Sequence, residues 1–320
     1  MLLLGVVLDF HGFTDAPHTP KYTGHETFNL RYGWLKKAYD AVCDGSTSTP
    51  FRDEGAIARF GVGKNMVSAI KHWATSCGII AKGEGDAWHT TRFGDFLFKG
   101  SDGVDPYLEQ ATSLWLIHLR LVTRSEKTLF TYAFNFFPDL SFSRESFATT
   151  LLTSMHKDDL KAPSAVTLKK DIANFIGTYC TRSLDKKVKV EDIISAPLTE
   201  LGLVSQVSST GYTINKGAHL PVPDAVFAFA LNDFWNIRSP GTRTLSYEAI
   251  CFDPYSPGRT LALSPHDVIG HLKSMGNITG GYMRWVETAG VKTVMRSNET
   301  NVDPYSWLMA DAEQSLVVAA

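Results

Sequence analysis

The clearest alternation of apolar and polar positions lies between residues 51 and 98. Ala56, Ile57 and Phe60 make a short apolar stripe, opened by the acidic Asp53 and Glu54 and closed by Gly61, which suits the two ends of a helix. A second helix is predicted from about Lys64. Met66, Ile70, Trp73 and Cys77 fall at i, i+4, i+7 and i+11 on one face of a 3.6-residue period, with Lys64, Ser68, Lys71 and Thr75 opposite. Gly78 ends it. Ile79–Ala81 and Trp88–Thr91 then read as two strands joined through Gly83-Glu84-Gly85-Asp86. Helix, turn, helix and hairpin in this order is a winged-helix pattern.

The pattern recurs. Ser164 is predicted to cap a helix whose Leu168, Ile172, Phe175 and Tyr179 repeat the same spacing, and Leu201–Val204 leads through Ser208-Ser209-Thr210-Gly211 to Tyr212-Thr213-Ile214 as a second hairpin. In a third copy Thr260–Leu263 reads as a short strand and Ser264-Pro265-His266-Asp267 as a capped helix start with Val268, Ile269, Leu272 and Met275 inward; Tyr282–Thr288 reads as a further helix, turning at Ala289-Gly290-Val291 into Thr293–Met295. Between the first two copies a long helix from Asp105-Pro106 to about Ser125 and an aromatic run, Thr128–Phe137, predict an inter-unit core. Breaks at Pro138, Pro221-Val222-Pro223 and Ser239-Pro240-Gly241 suggest three divisions, 1–104, 105–220 and 221–320. The expected fold is mainly α with small β-hairpin wings, an α+β chain of tandem winged-helix units around a helical, aromatic-rich core.

Composition narrows the function classes. The 320 residues are 44% hydrophobic and 20% charged with mean hydropathy -0.08, the profile of a globular chain. Thirty-one Lys and Arg against 33 Asp and Glu give a net charge of -2, which excludes attachment to nucleic acid by overall charge and leaves only local basic faces. Cys43, Cys77, Cys180 and Cys251 are too widely spaced for a zinc ribbon or finger and read as free thiols. The apolar start, Met1–Phe10, lacks the basic flank of a signal peptide and reads as a strand or packed tail, and Leu114–Val122 is interrupted by His118 and Arg120, so no membrane span and a cytoplasmic location are expected.

Candidate chemistry is sparse. Gly61-Val62-Gly63-Lys64 lacks the spacing and the Ser or Thr of a phosphate loop, and HExxH, GxSxG and GxGxxG segments do not occur. His25 and Glu26, within Tyr22–Phe28, are candidates for a catalytic base and a metal-binding carboxylate, with Asp9, His11 and His18 as further ligands; read more simply, Thr23 caps a helix and Glu26 completes its capping box. Tyr32, Trp34, Lys36 and Lys37 suggest a packed aromatic face with a basic rim. For DNA, Arg59, Lys64, Asn65, Ser68, Lys71 and His72 are expected to face outward around the second helix, Lys82 and Arg92 to grip phosphates from the hairpin, and Lys169 and Lys170 to repeat a basic face in the second copy. Residues 51–99 hold seven Lys or Arg against five acids, a local excess of two.

Five ordered motifs carry a family resemblance: Thr23-Gly24-His25-Glu26-Thr27-Phe28, Arg31-Tyr32-Gly33-Trp34-Leu35-Lys36-Lys37, Phe51-Arg52-Asp53-Glu54, Gly61-Val62-Gly63-Lys64-Asn65-Met66-Val67 and Asp105-Pro106-Tyr107-Leu108-Glu109. Over about residues 20–310 the chain resembles a bacterial domain-of-unknown-function family, SspB-like components of Ssp DNA phosphorothioation systems. The resemblance implies participation in DNA phosphorothioation, an antiviral defence, as a DNA-nicking subunit; nicking would need a divalent metal, Mg or Mn, to activate water and stabilise the leaving oxygen. It also implies partners similar to a cysteine desulfurase, an ATP pyrophosphatase-like protein and an ATPase, acting on double-stranded DNA. A non-enzymatic adaptor, or a transcription-regulator-like protein that positions the sulfur-transfer partners, is the alternative. No catalytic residue carries over from the family.

Overall fold

The computed structural model describes residues 21–52, 54–123, 127–180, 196–298 and 302–319, with side chains of the last helix as far as Asp311. The expectations placed on Met1–Phe10, Asp9, His11, His18 and Asp53 lie outside the described residues. The first unit contains α1 (Trp34–Cys43), α2 (Ala56–Phe60), α3 (Lys64–Ser76), the hairpin β1 (Ile80–Lys82) and β2 (Trp88–Thr90), and α4 (Arg92–Phe98). A five-residue helix buries one edge, so α2 packs Ala56 and Phe60, four apart, and leaves Ile57 54% exposed, outside the expected stripe. In α3, Val67, Ala69, Ile70, Trp73 and Ala74 are buried while Met66 is only half-buried. Phe51 stacks on Phe60 and meets Trp88 edge to face, at centroid distances of 5.3 and 5.5 Å, which fastens the hairpin to α2.

The next helix, α5 (Ala111–Thr123), begins later than the Asp105-Pro106 start expected of it. The Asp105 carboxylate accepts from the Glu109 and Gln110 amides, both at 2.9 Å, and Leu108 adopts φ +59, so residues 105–110 form a loop held by a buried acid. α5 is buried almost all round. Its His118 donates through Nε2 to the Thr260 carbonyl at 2.6 Å and accepts at Nδ1 from the Tyr179 hydroxyl at 2.8 Å, and burial pushes its pKa down to about 3. Behind it lie α6 (Thr128–Asn135), β3 (Ser141–Ser143), α7 (Arg144–Lys157), α8 (Ala165–Tyr179), a 3-10 turn at Pro197–Leu201, β4 (Val204–Gln206) and β5 (Gly211–Ile214). Ser164 caps α8, and Leu168, Ile172, Phe175 and Tyr179 are buried, as their spacing predicts. The expected aromatic core forms where Phe175 meets Phe130, Phe134 and Phe147 at 5.3 to 6.1 Å.

The third unit comprises α9 (Asp224–Arg238), β6 (Thr244–Ser246), α10 (Tyr247–Phe252), α11 (Pro257–Thr260), α12 (Pro265–Ile278), β7 (Met283–Thr288), β8 (Val291–Arg296) and α13 (Pro304–Ala319). The capping box of Ser264 and Asp267 starts α12 as expected. Two expectations fail. Thr260–Leu263 is the end of α11 and a turn, with Ala262 at φ +50, and Tyr282–Thr288 is a strand rather than a helix. Gly280 and Gly281, both at positive φ, stop α12, and Ala289-Gly290, at φ +50 and +81, makes the two-residue turn that fits the twist of a hairpin. The sheets run β3-β5-β4 and β6-β8-β7, all antiparallel, so in both units the strand before the helices pairs with the last strand. The first unit has the two-stranded β1-β2 sheet. Buried apolar residues from Leu30 to Leu308 form one continuous cluster, and no described helix is long and apolar enough to cross a membrane.

Candidate functional site

Two charged regions meet on α3. The first is a groove between α3 and the β1-β2 hairpin, about 210 Å³, lined by Thr49, Phe51, Arg52, Lys71, Lys82, Asp86 and Trp88. Lys82 Nζ and Arg52 Nη1 lie 3.4 and 3.8 Å from Asp86 Oδ1, so two cations share this carboxylate, and Lys71 adds a third cation to the groove wall. Burial, and then the charges of Arg52 and Lys82, hold the Lys71 ammonium below the ordinary lysine value. Such mutual repulsion favours an incoming anion. Lys64 and Asn65 stand exposed beside the groove at the start of α3, whose N-cap, Gly63, offers no side-chain cap to the first amides, and Ser68 is half-exposed. The outward face predicted for α3 thus holds at Lys64, Asn65 and Ser68, while Lys71 leans into the groove. Arg52 and Trp88 escaped sequence reasoning; only the position of Arg52 in the Phe51–Glu54 motif marked it.

Other predicted DNA contacts separate from this face. Arg59 is exposed on α2 and donates to the Pro50 carbonyl at 2.8 Å. Arg92 does not extend from the hairpin toward a phosphate: its guanidinium pairs with Asp303 and lies 4.4 Å from the Tyr305 ring centroid, braced against the C-terminal segment. Lys169 and Lys170 are exposed on α8, apart from the buried stripe. His72 faces inward rather than outward, because one residue beyond Lys71 the helix has turned by 100°. Burial, followed by the charge of Lys127, pushes its pKa down to about 2, so it is a neutral ring.

That inward side of α3 borders the second region, a cavity of about 430 Å³ between the chain at residues 21–24, α3, α6 and α8. No helix forms at Thr23–Phe28, contrary to the capping-box reading. Thr23, Gly24, Glu26 and Thr27 all have positive φ, between +47 and +88, a strained run for three residues with side chains. Asp171 of α8 holds this loop: its carboxylate accepts the Thr23 amide at 3.2 Å and His25 Nε2 at 2.8 Å. His25 Nδ1 accepts from the Thr27 amide at 3.0 Å, so Nε2 carries the proton donated to Asp171. Both nitrogens of this 2% exposed ring are therefore engaged within the fold, which suits a positioning residue and not a base open to substrate. Glu26 is exposed and turned away from the buried ring.

Lys127 is the cationic wall of the cavity. Its Nζ lies 4.2 Å from the Trp73 ring centroid, 4.7 Å from that of Phe130 and 3.3 Å from Asn174 Oδ1. Burial lowers its pKa to about 7, against the opposing pull of Asp171 and Cys77. Asn174 in turn donates to the Phe28 carbonyl at 2.9 Å, where Trp73 Nε1 also donates at 3.0 Å. Among the described residues no three His, Cys, Asp or Glu side chains come together as metal ligands, and the donor set of the cavity, with a lysine beside its one carboxylate, does not fit Mg or Mn. Asp171, Lys127 and Asn174 were missed as site residues: Asp171 and Asn174 lie 146 positions from His25 and Phe28 respectively, the residues of the 23–28 motif that they contact, and Lys127 meets Trp73 and Asn174 only in the folded chain.

These features define a class: an α+β chain with small antiparallel sheets that carries a basic groove on one helix and a charged cavity behind it. The chain belongs to the family described as "Protein of unknown function (DUF4007)", whose model matches residues 22–310. Two solved structures share its fold, a magnesium ion-bound SspB at 24% identity and TM-score 0.78, and another SspB at 25% and 0.77. Each similarity covers 96% of this chain and 99% of the other. No curated protein matches the sequence.

Proposed function

We propose that this chain is a DNA-binding component of an Ssp-type DNA phosphorothioation system, built from tandem winged-helix units. The observation that carries the reading is the groove in which Arg52, Lys71 and Lys82 stand together beside Trp88, with Arg52 and Lys82 paired to Asp86, against the helix whose exposed start bears Lys64 and Asn65. Cations and an aromatic ring in one groove suit a DNA backbone. The strand orders β3-β5-β4 and β6-β8-β7, each following a helix and enclosing two helices (α7, α8) or three (α10 to α12), support winged-helix units at two places, and the first unit is a version with a two-stranded sheet. Likeness to SspB along nearly the whole chain supports the system and, with it, a desulfurase, an ATP pyrophosphatase-like protein and an ATPase as partners.

Strand nicking with Mg or Mn belongs to the same proposal, and the adaptor is its rival; the engagement of both His25 nitrogens favours the adaptor. Duplex binding is measured by electrophoretic shift, and nicking by relaxation of supercoiled plasmid with each metal. Duplex binding that vanishes in the Arg52→Ala, Lys71→Ala, Lys82→Ala variant supports the interface, and wild-type binding by that variant removes it. Plasmid relaxation by the wild type supports nicking. Duplex binding without relaxation under either metal establishes the adaptor.

A further inference from the structure

We infer that the cavity behind α3 is a binding site for a phosphate ester of up to nucleotide size, supplied by a DNA strand at the groove. The inference deepens the DNA-binding reading and rests on it. The volume, about 430 Å³, is in the range of small-molecule sites and exceeds what a single inorganic ion fills. The lining is built for an oxyanion. Lys127 and Lys21 supply positive charge, Ser76 and Thr128 supply hydroxyls, and Phe130 supplies an apolar wall, while the Thr75 hydroxyl donates to the Lys71 carbonyl. Among the described residues the one acidic group in the lining, Asp171, already accepts the Thr23 amide and His25 Nε2, so its charge is largely spent on holding the loop.

Two further observations point to ligand binding rather than to packing. Buried lysines are costly, and Lys127 is kept where burial alone would be served better by a methionine between Trp73 and Phe130. The loop that closes one side holds Thr23, Glu26 and Thr27 in left-handed conformations, strain that persists where the surroundings enforce it and that concentrates at ligand clamps. The cavity opens on the far side of the same helix that carries the groove, with Lys71 and His72 adjacent on its two flanks. Thr75 and Ser76, about one helical turn beyond Lys71 along α3, line the cavity.

The probes are thymidine 5′-monophosphate and the dinucleotide d(TpT), titrated into the full chain by calorimetry at pH 6.0 and 8.5. The first tests a strand end and the second an internal phosphate. The diester keeps one charge across this range, so any pH effect on its binding comes from the protein. Lys127 is faced by Asp171 and Asn174 from α8, His72 and Cys77 from α3, and Lys21, Tyr22 and His25 from the N-terminal segment; burial lowers its pKa to about 7, inside this range, and loss of the pH effect in Lys127→Met assigns that effect to its amine. The expected result is one site per chain, weaker at pH 8.5, and at least tenfold weaker at pH 6.0 in Lys127→Met. Ser76→Leu, which fills the cavity without touching the charges, should abolish binding and leave the thermal midpoint near that of the wild type. Wild-type binding by Ser76→Leu, or no saturable binding of either probe up to ~1 mM, overturns the inference. Its failure is distinct from failure of the interface: the groove variant with Arg52, Lys71 and Lys82 replaced should bind both probes normally, and Ser76→Leu should keep the groove's duplex binding, weakened by no more than the one phosphate contact it removes.

Discussion

Lys71 and His72 are consecutive on α3, yet they serve regions of opposite character. In the groove, long cationic side chains surround one shared acid, mostly in contact with solvent; Arg52 and Asp86 retain 69% and 62% of their side-chain exposure. In the cavity, polar groups from the 21–28 loop, α3, α6 and α8 are fixed by hydrogen bonds to one another. The groove offers charge without fixed geometry, which gives affinity that salt screens. The cavity offers fixed geometry at the cost of desolvation, which gives selectivity. One helix separates the two because its faces differ every residue.

Removing the carboxylate that organises the cavity should have the largest effect on stability. Asp171→Ala leaves the Thr23 amide and His25 Nε2 without their acceptor and is expected to cost about 3 kcal/mol in urea unfolding. Arg52→Ala, in the groove, should cost no more than about 0.5 kcal/mol. Equal losses would erase the distinction between the regions.

Duplex affinity should show the reverse. Replacing Arg52, Lys71 and Lys82 by Ala is expected to flatten the slope of log affinity against log salt by roughly three units, which between 50 and 200 mM salt amounts to about fortyfold. An unchanged slope would take the groove out of the interface.

A pH effect sharpens the contrast. Folded Lys127 gives up its proton near pH 7, whereas the unfolded chain keeps it up to the ordinary lysine range. Between these limits the unfolded state binds more protons, so stability rises with pH, by up to ~1.4 kcal/mol per pH unit for this group. Lys127→Met should remove that rise. In acid the same sign applies to His72, neutral when folded down to about pH 2, so stability falls as pH drops below the ordinary histidine range. Unfolding curves collected from pH 5 to 10 test both.

Smaller effects are expected at the exposed edges. Lys169→Glu with Lys170→Glu should weaken binding to all duplexes about equally, by less than the groove variant, with the thermal midpoint unchanged because neither belongs to the buried stripe of α8. If duplex binding stays normal and a partner is lost in a pull-down, this face belongs to a protein contact. Asp86→Asn, which lifts the single negative charge from the groove, should tighten duplex binding about two- to threefold at low salt. Weaker binding would make Asp86 a scaffold for the two cations it pairs with.

Much of the fold was legible because helices with one buried stripe announce themselves locally. Ser164, Ser264 and Gly61 mark helix ends by chemistry that acts within a few residues, and the stripe Leu168–Ile172–Phe175–Tyr179 follows from a period fixed by the backbone. Legibility failed where a distant partner overrode local preference. Tyr282–Thr288 carries no strong alternation, and it is a strand because β8 and β6 complete a sheet beside α12. Asp105 resembles a helix start, yet its carboxylate is spent on a loop, and Arg92 resembles a phosphate contact until Asp303 and Tyr305 occupy it.

The sequence by itself determined the helical units, their caps, the small hairpins and the exposed cations of α3, all consequences of spacing within about one helix length. The identity of the cavity was decided by tertiary structure alone. His25 and Asp171 are 146 positions apart, and the role of each depends on the other: apart, a histidine in a loop and an acid on a basic helix face; together, the hydrogen-bonded pair that holds a strained loop against α8. Desolvation at Lys127 follows the same logic, because the burial that lowers its pKa comes from Trp73, Phe130 and Asn174, and no property of the residues flanking position 127 encodes it.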